Sequence, residues 1–291
     1  MNGWSFRAMG TTVRVLTDER ATASAVSWAG EAIRLTFERE ERRFSRFRAD
    51  SELSRINRAD GRPIRVSPTF ASVMRLALDS SAVTGGLFDP TVLGALKAAG
   101  YDRDFDEVLA GARGALHPAT PCGRWRDVIL EDDLLSLPCG VGVDLGGLVK
   151  GWTADVAASR AVDGGLPWAL VNAGGDLRIA GDAPPVAVAV EDPDDPDVEL
   201  VRLMVREGGV ATSSIRSRSW GAGLHHVIDP RTGAPSETDL LQVTVTASTC
   251  ADAEVRAKAV LLRGSIAADE SAVAVSSGGH IFVSVPSEEA A

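Results

Sequence analysis

Basic charge, aromatic rings and cysteine are all scarce in this 291-residue chain, and each shortage excludes something. Asp and Glu number 40 against 30 Lys and Arg, a formal net charge of −10. A general nucleic-acid interface needs a concentrated basic surface, so none is expected. One basic pocket for a single phosphorylated ligand stays compatible with that charge. The cysteines are only 3, Cys122, Cys139 and Cys250. Odd in number and scattered, they suggest neither a disulfide framework nor a zinc knuckle. No apolar run approaches the length of a membrane span. The opening MNGWSFRAMGTTVRV lacks a charged segment followed by a sustained apolar one, and has no early cysteine for lipidation. The expectation is therefore a cytoplasmic protein without export signal or membrane insertion.

What is present is ordinary for a soluble globular protein: 45% hydrophobic and 24% charged residues, with length for one large domain or two intimate lobes. The N-terminal half reads as helix after one opening strand, SFRAMGTTVRVLT. Val26, Ala29, Ile33 and Phe37 recur at helical spacing within residues 22–43. Ser51 is placed to cap SELSRIN, and Ser67 to cap a helix running to about Val83 and ended by Gly85-Gly86. Asp89-Pro90 has the form of an N-cap followed by proline. After Val143 the texture turns to strands: WALVN, PVAVAVE, LVRLMVRE, GVATS, LQVTVTAS and HIFVSV, with helices near 149–162 and 251–263. The acidic DPDDPD reads as a solvated turn, and SEEAA as a mobile end. This is an α+β pattern rather than an alternating βαβ one.

Five segments carry candidate chemistry. VDLGGLVKGWTADVA, 143–157, sets Lys150 at a strand-to-helix turn stripped of bulk. It is neither a P-loop nor a dinucleotide fingerprint. The glycines and helix-start N–H groups suit an anion, or the segment is a turn with a snorkelling lysine. NAGGDLRIAGD, 172–182, is either a Gly-Gly hairpin or a backbone that a ligand approaches, with Asn172 and Asp176 as polar contacts. GVATSSIRSRSW, 209–220, offers hydroxyls and arginines to a phosphate, or is an ordinary loop. HHVIDPRTG holds two of the 4 histidines, and adjacent side chains on an extended segment face opposite ways. On CADAEVRAKAVLL, Glu254 and Lys258 form an i,i+4 pair in the favourable order. Asp252 lies about 200° around that helix from Glu254, so the two cannot chelate together.

In this order, MGTTV, FSRFRADSELSRIN, GGLFDPTV, VDLGGLVKGWTADV, LVNAGGDLRIAG, VATSS, HHVIDPRTGAP and the helix at 251–263 resemble the ApbE-type FAD:protein FMN transferase family over residues 9–264. The resemblance implies a two-lobed, T-fold-like α+β architecture with FAD in the cleft between lobes. It divides a single 1–291 domain into a helix-rich lobe, about 20–135, and a strand-rich lobe, about 140–286 plus the N-terminal strand. It implies a reaction in which the FMN half of FAD passes to a threonine or serine hydroxyl of an acceptor protein and AMP leaves. By position, Met9, Phe47, Leu87, Phe88, Asp89, Asp144, Lys150 and Leu241 fall where the family contacts FAD. Gly174, Gly175, Asp176, Thr212 and Ser213 are similar to its nucleotide-cradling loops. His226 matches the family's general base, and an imidazole, with an ordinary pKa of about 6.5, suits a hydroxyl proton.

The resemblance breaks at the metal. The family's Mg²⁺ ligands on the last helix, an aspartate and then a threonine, fall at Glu254 and Lys258, with Gly147 as a further metal position. A protonated lysine has only donors and cannot coordinate Mg²⁺. Either Lys258 replaces the cation in a metal-independent transferase, or the protein is an FAD carrier, sensor or pyrophosphatase without transfer to protein. Phe47, where a tyrosine is usual, keeps a stacking face and loses a hydroxyl. Ser214, where a glycine is usual, narrows its loop.

Overall fold

The chain opens with a hairpin rather than the expected single strand. In the computed structural model, which describes residues 1–111, 122–221 and 223–285, β1 (Asn2–Ala8) and β2 (Thr11–Thr17) pair antiparallel around Met9-Gly10. Both turn residues have positive φ, 49° and 68°. That conformation matches the twist of the flanking strands, but methionine seldom adopts it, so nothing local announced the turn.

Helix α1 (Ala23–Phe44) follows, with Ala29, Ile33 and Phe37 fully buried as its spacing requires. Ser51 caps α2 (Glu52–Asn57) by accepting the Ser54 N–H at 2.9 Å. After β3 (Ile64–Arg65), Ser67 likewise caps α3 (Pro68–Val83) through the Phe70 N–H. Asp89 caps a 3₁₀ turn, Pro90–Val92, that leads into α4 (Leu93–Ala98) and then α5 (Phe105–Leu109). Strands β4 (Ile129–Glu131) and β5 (Leu134–Ser136) precede α6 (Val149–Asp163). Then come β6 (Trp168–Ala173), β7 (Asp176–Gly181), β8 (Val186–Glu191), β9 (Glu199–Val205) and β10 (Gly208–Ser214). Four two-residue strands, β11 to β14, are Ser219–Trp220, Leu224–His225, Ile228–Asp229 and Ala234–Pro235. The chain continues through β15 (Leu240–Ala247), α7 (Cys250–Arg263), β16 (Ala272–Ser276) and β17 (Ile281–Ser284). β16 escapes a search for alternation because all five of its residues are buried. The DPDDPD turn lies between β8 and β9, its Asp192 carboxylate accepting the N–H groups of Asp194 and Asp195. SEEAA falls outside the described residues.

Two compact units result. The first comprises Met1–Glu41, Leu148–Ser213 and the chain from Asp239 onward. Its eight-stranded sheet runs β1-β2-β6-β7-β10-β15-β16-β17. Alternation along β6 decides the layers. Ala169, Val171 and Ala173 face a core shared with Ala29, Ile33 and Phe37 of α1 and with Ala154, Ala157 and Ala161 of α6. Trp168 and Leu170 face the other way, against Val186, Val188, Leu203 and Val205 of the β8–β9 hairpin. The second unit, Arg42–Gly147 and Ser214–Thr238, carries α2 to α5 and the small sheet β3-β5-β4. One of its cores gathers Ala95, Leu96, Tyr101, Phe105, Trp220 and Ile228.

Candidate functional site

In the first unit, candidate residues collect at one end of the sheet. The register Val13↔Ala173 between β2 and β6 puts the Met9-Gly10 turn and the Gly174-Gly175 turn at that end. Both glycines have positive φ, 72° and 101°, and a Cβ on Gly174 would come within 2.2 Å of Thr11 Oγ1. Asn172 Oδ1 accepts the Gly175 N–H at 2.9 Å, so its polar group braces the turn. β10 pairs with β7 through Val210↔Leu177, and the chain beyond Val210 therefore carries Thr212 and Ser213 toward the same turn. Thr212 shares a hydroxyl contact of 2.9 Å with Thr244 of β15, while Ser213 and Leu241 are buried.

Helices α6 and α7 meet here in a reciprocal arrangement. A helix start leaves N–H groups without intrahelical partners and favours negative charge. Asp155 of α6 accepts the N–H groups of Cys250 (2.8 Å) and Ala251 (3.0 Å) at the start of α7. Glu254 of α7 accepts the N–H of Gly151, 2.9 Å away, in the first turn of α6. The helices approach so closely that a Cβ on Gly151 would lie 2.7 Å from the Cys250 carbonyl oxygen. Gly151 thus makes room for a helix, which the sequence had left to a ligand.

Lys150 turns out to belong to a charge network. Its ammonium donates to the Asp176 carboxylate and reaches Glu254 Oε1 at 3.4 Å. Lys258 donates to the same oxygen at 3.2 Å. Glu254 is 1% exposed, and both lysine side chains are 21% exposed. Burial pushes the Glu254 carboxyl up, but Lys150 and Lys258 outweigh it and hold the group below its ordinary range. Burial wins at Asp155, whose carboxyl is raised despite the two N–H donors and Arg178.

This donor set does not fit Mg²⁺. The ion demands near-octahedral oxygen ligands at about 2.0–2.1 Å. Here three hydrogen-bond donors already surround the two Glu254 oxygens. Asp252 is engaged by Arg256 at 2.9 Å, away from Glu254. Among the described residues no group of three or more His, Cys, Asp or Glu side chains is gathered to hold a metal.

The second unit builds a different apparatus. Phe47, 41% exposed, lies over the Arg46 guanidinium at 4.2 Å, and Arg46 lies 4.3 Å from the Tyr101 ring. Arg46 also bonds Asp144 Oδ2 at 2.6 Å and the Tyr101 carbonyl at 2.8 Å. Asp144 Oδ1 accepts the Gly146 N–H at 2.7 Å, which fixes the bend before Gly147. Tyr101 in turn accepts a hydrogen bond at its hydroxyl from Arg218, 3.1 Å away. The Arg218 carbonyl then takes both the backbone N–H of His226 (3.2 Å) and its ring Nδ1 (3.3 Å). Since a carbonyl only accepts, Nδ1 carries the proton and Nε2 keeps a lone pair.

The neighbouring histidine is arranged in the opposite way. His225 is buried, its Nε2 donates to the Ser236 carbonyl at 3.0 Å, and burial lowers its pKa. Phe88 and Asp89 are buried and Leu87 is half-buried. Asp89 Oδ1 accepts the N–H and hydroxyl of Thr91, its Oδ2 has no hydrogen-bond partner among the described residues, and burial raises its carboxyl.

Sequence reasoning missed Arg46, Tyr101 and Arg218, which orient candidate residues from positions far apart in the chain. It also missed that Lys150, Asp176, Glu254 and Lys258 form one cluster. Only the Glu254–Lys258 spacing signalled it.

Known proteins share this architecture. The ApbE protein from Thermotoga maritima superposes with a TM-score of 0.86 at 26% identity, over 97% of this chain and 96% of that one. The flavin transferase ApbE from Vibrio cholerae gives 0.80 at 24% identity, over 97% and 96%. In sequence, the FAD:protein FMN transferase of Vibrio cholerae is 28% identical over 286 residues, covering 94% of this chain and 84% of that protein. That of Treponema pallidum is 28% identical over 280 residues, covering 88% and 77%. The family model for ApbE matches residues 9–278, from the first hairpin turn to the loop after β16. A match of that extent, on this fold, makes the chain a member of the ApbE family.

Proposed function

We propose that this chain is an FAD:protein FMN transferase, with FAD as donor and a threonine or serine hydroxyl of an acceptor protein as nucleophile. The hydroxyl oxygen forms a bond to the phosphorus of the FMN half, the pyrophosphate P–O bond to AMP breaks, and AMP leaves with that electron pair. His226 Nε2 takes the hydroxyl proton. The observation that carries this reading is the contrast between the histidines. In His226 the Arg218 carbonyl accepts a hydrogen bond from Nδ1–H, so Nε2 is the ring nitrogen able to accept a proton, whereas in His225 Nε2 carries the proton and donates to the Ser236 carbonyl.

In the first unit the FAD contacts are Met9, Lys150, Gly174, Gly175, Asp176, Thr212, Ser213 and Leu241. The glycine turn offers backbone that a phosphate can approach. In the second unit they are Phe47, Leu87, Phe88, Asp89 and Asp144, with the exposed Phe47 ring as a stacking face for the flavin. The target proteins are cytoplasmic on this reading. None of the described helices is long and apolar enough to cross a membrane.

His226→Ala should slow transfer about 10²–10⁴-fold, the usual contribution of a general base, while FAD affinity is unchanged. Rates come from the mass gain of the acceptor, and affinity from flavin fluorescence. Transfer at the native rate in that variant would remove His226 from the reaction.

A further inference from the structure

We infer that Lys150 and Lys258, bridged by Glu254, stand in for a divalent cation, so that this chain holds the pyrophosphate of FAD without Mg²⁺. This rests on the flavin-transferase reading. It deepens that reading by assigning the source of positive charge.

Charge, geometry and burial each support it. The two ammonium groups bring the two positive charges of a divalent ion, and the carboxylates facing them are Glu254 and, at Lys150, Asp176. The ammonium groups sit 3.4 and 3.2 Å from a single oxygen, Glu254 Oε1. Oε2 is held by the Gly151 N–H, so the carboxylate cannot swing away. Glu254 is thereby fixed from three sides as the anchor of the pair. A buried carboxylate with this many donors survives because the donors are charged.

Both lysines keep part of their side chains exposed. An ammonium has three donor hydrogens. Lys258 donates to Glu254 twice, at its carbonyl (3.5 Å) and at Oε1 (3.2 Å). A phosphate oxygen is a better partner than a carbonyl at 3.5 Å, because both members of the bond are then charged. The helix start at α6 adds its dipole in the same direction. A point charge on a flexible stem does not bridge two oxygens as a metal does. Two such charges on one buried anchor offer two separate donors where one lysine would offer a single charge.

The test compares two ligands, FAD and riboflavin, the second lacking any phosphate. Affinity of the native chain for each is measured by flavin fluorescence in EDTA and in excess MgCl₂. The inference expects the same FAD affinity in both buffers, and no saturable heat when MgCl₂ alone is titrated into the protein. Lys258→Met should weaken FAD about tenfold in EDTA, the loss of one charge-assisted hydrogen bond, while leaving riboflavin unchanged. Because Lys258→Met leaves Glu254 with one ammonium fewer and its fold could suffer, Glu254→Gln/Lys258→Met is measured beside it. That double variant removes the pair together and should show the same selective loss. FAD binding that requires Mg²⁺, or equal loss of FAD and riboflavin in both variants, overturns the inference while leaving flavin binding intact. No FAD binding in either buffer overturns the transferase reading itself, and this inference with it.

Discussion

The starts of α6 and α7 solve one problem with opposite electrostatics. Each is capped by a carboxylate of the other helix, the buried Glu254 at the start of α6 and the half-buried Asp155 at the start of α7. Asp155 sees two backbone N–H groups and, at 3.7 Å, Arg178, and burial raises its pKa. Glu254 sees one N–H and two ammonium groups, and its pKa falls in spite of deeper burial. Two N–H donors suffice to cap a helix. The two ammonium groups are what sets Glu254 apart, and they lie at the sheet end where the glycine turn and Thr212 collect.

The sharpest way to break the comparison is to delete each carboxylate. Glu254→Ala leaves two lysines beside a buried void and should destabilise the chain by about 3–5 kcal/mol. Asp155→Ala loses mainly a cap, about 1–2 kcal/mol. Urea unfolding of both variants checks the order, and equal losses would dissolve the distinction. Gly151→Ala comes next. Its Cβ meets Cys250 backbone rather than a yielding side chain, so overpacking of about 1–3 kcal/mol should outweigh the helix propensity gained.

The smallest effect lies in pH. A carboxyl whose folded pKa is lowered contributes stability above its ordinary value, 4.5 for Glu254, and loses it as pH falls through the folded pKa. A carboxyl whose folded pKa is raised contributes below its ordinary value, 3.8 for Asp155, and loses it as pH rises through the folded pKa. The stability deficit of Glu254→Gln should therefore grow with rising pH, while that of Asp155→Asn shrinks. Unfolding free energies across the acid range read both slopes. Parallel slopes would mean that the two carboxylates share one electrostatic environment.

Much of this was legible in the sequence where the determinant is local. Ser51, Ser67 and Asp89 announce their helix starts within three residues, and helical spacing exposes Ala29, Ile33 and Phe37. The Gly174-Gly175 bend follows from two glycines between apolar runs. What depends on distant partners was hidden. Lys150 and Glu254 are 104 positions apart, and Tyr101 and Arg218 are 117 apart. Gly151 looked like clearance for a ligand because the helix that fills its space begins a hundred residues later. The first hairpin was hidden for a local reason, since Met9 takes a conformation that its side chain disfavours.

Flavin transfer itself is tested most directly by incubating the chain with FAD in EDTA, with and without candidate acceptors bearing a threonine or serine flavinylation site. AMP and FMN are followed by chromatography, and the acceptor by mass. The account predicts AMP only when acceptor is present, with FMN found on the acceptor and none in solution. AMP and free FMN without acceptor would make the chain an FAD pyrophosphatase, and unchanged FAD across the acceptors tried, with tight binding, would make it a carrier. Either result would contradict the transferase.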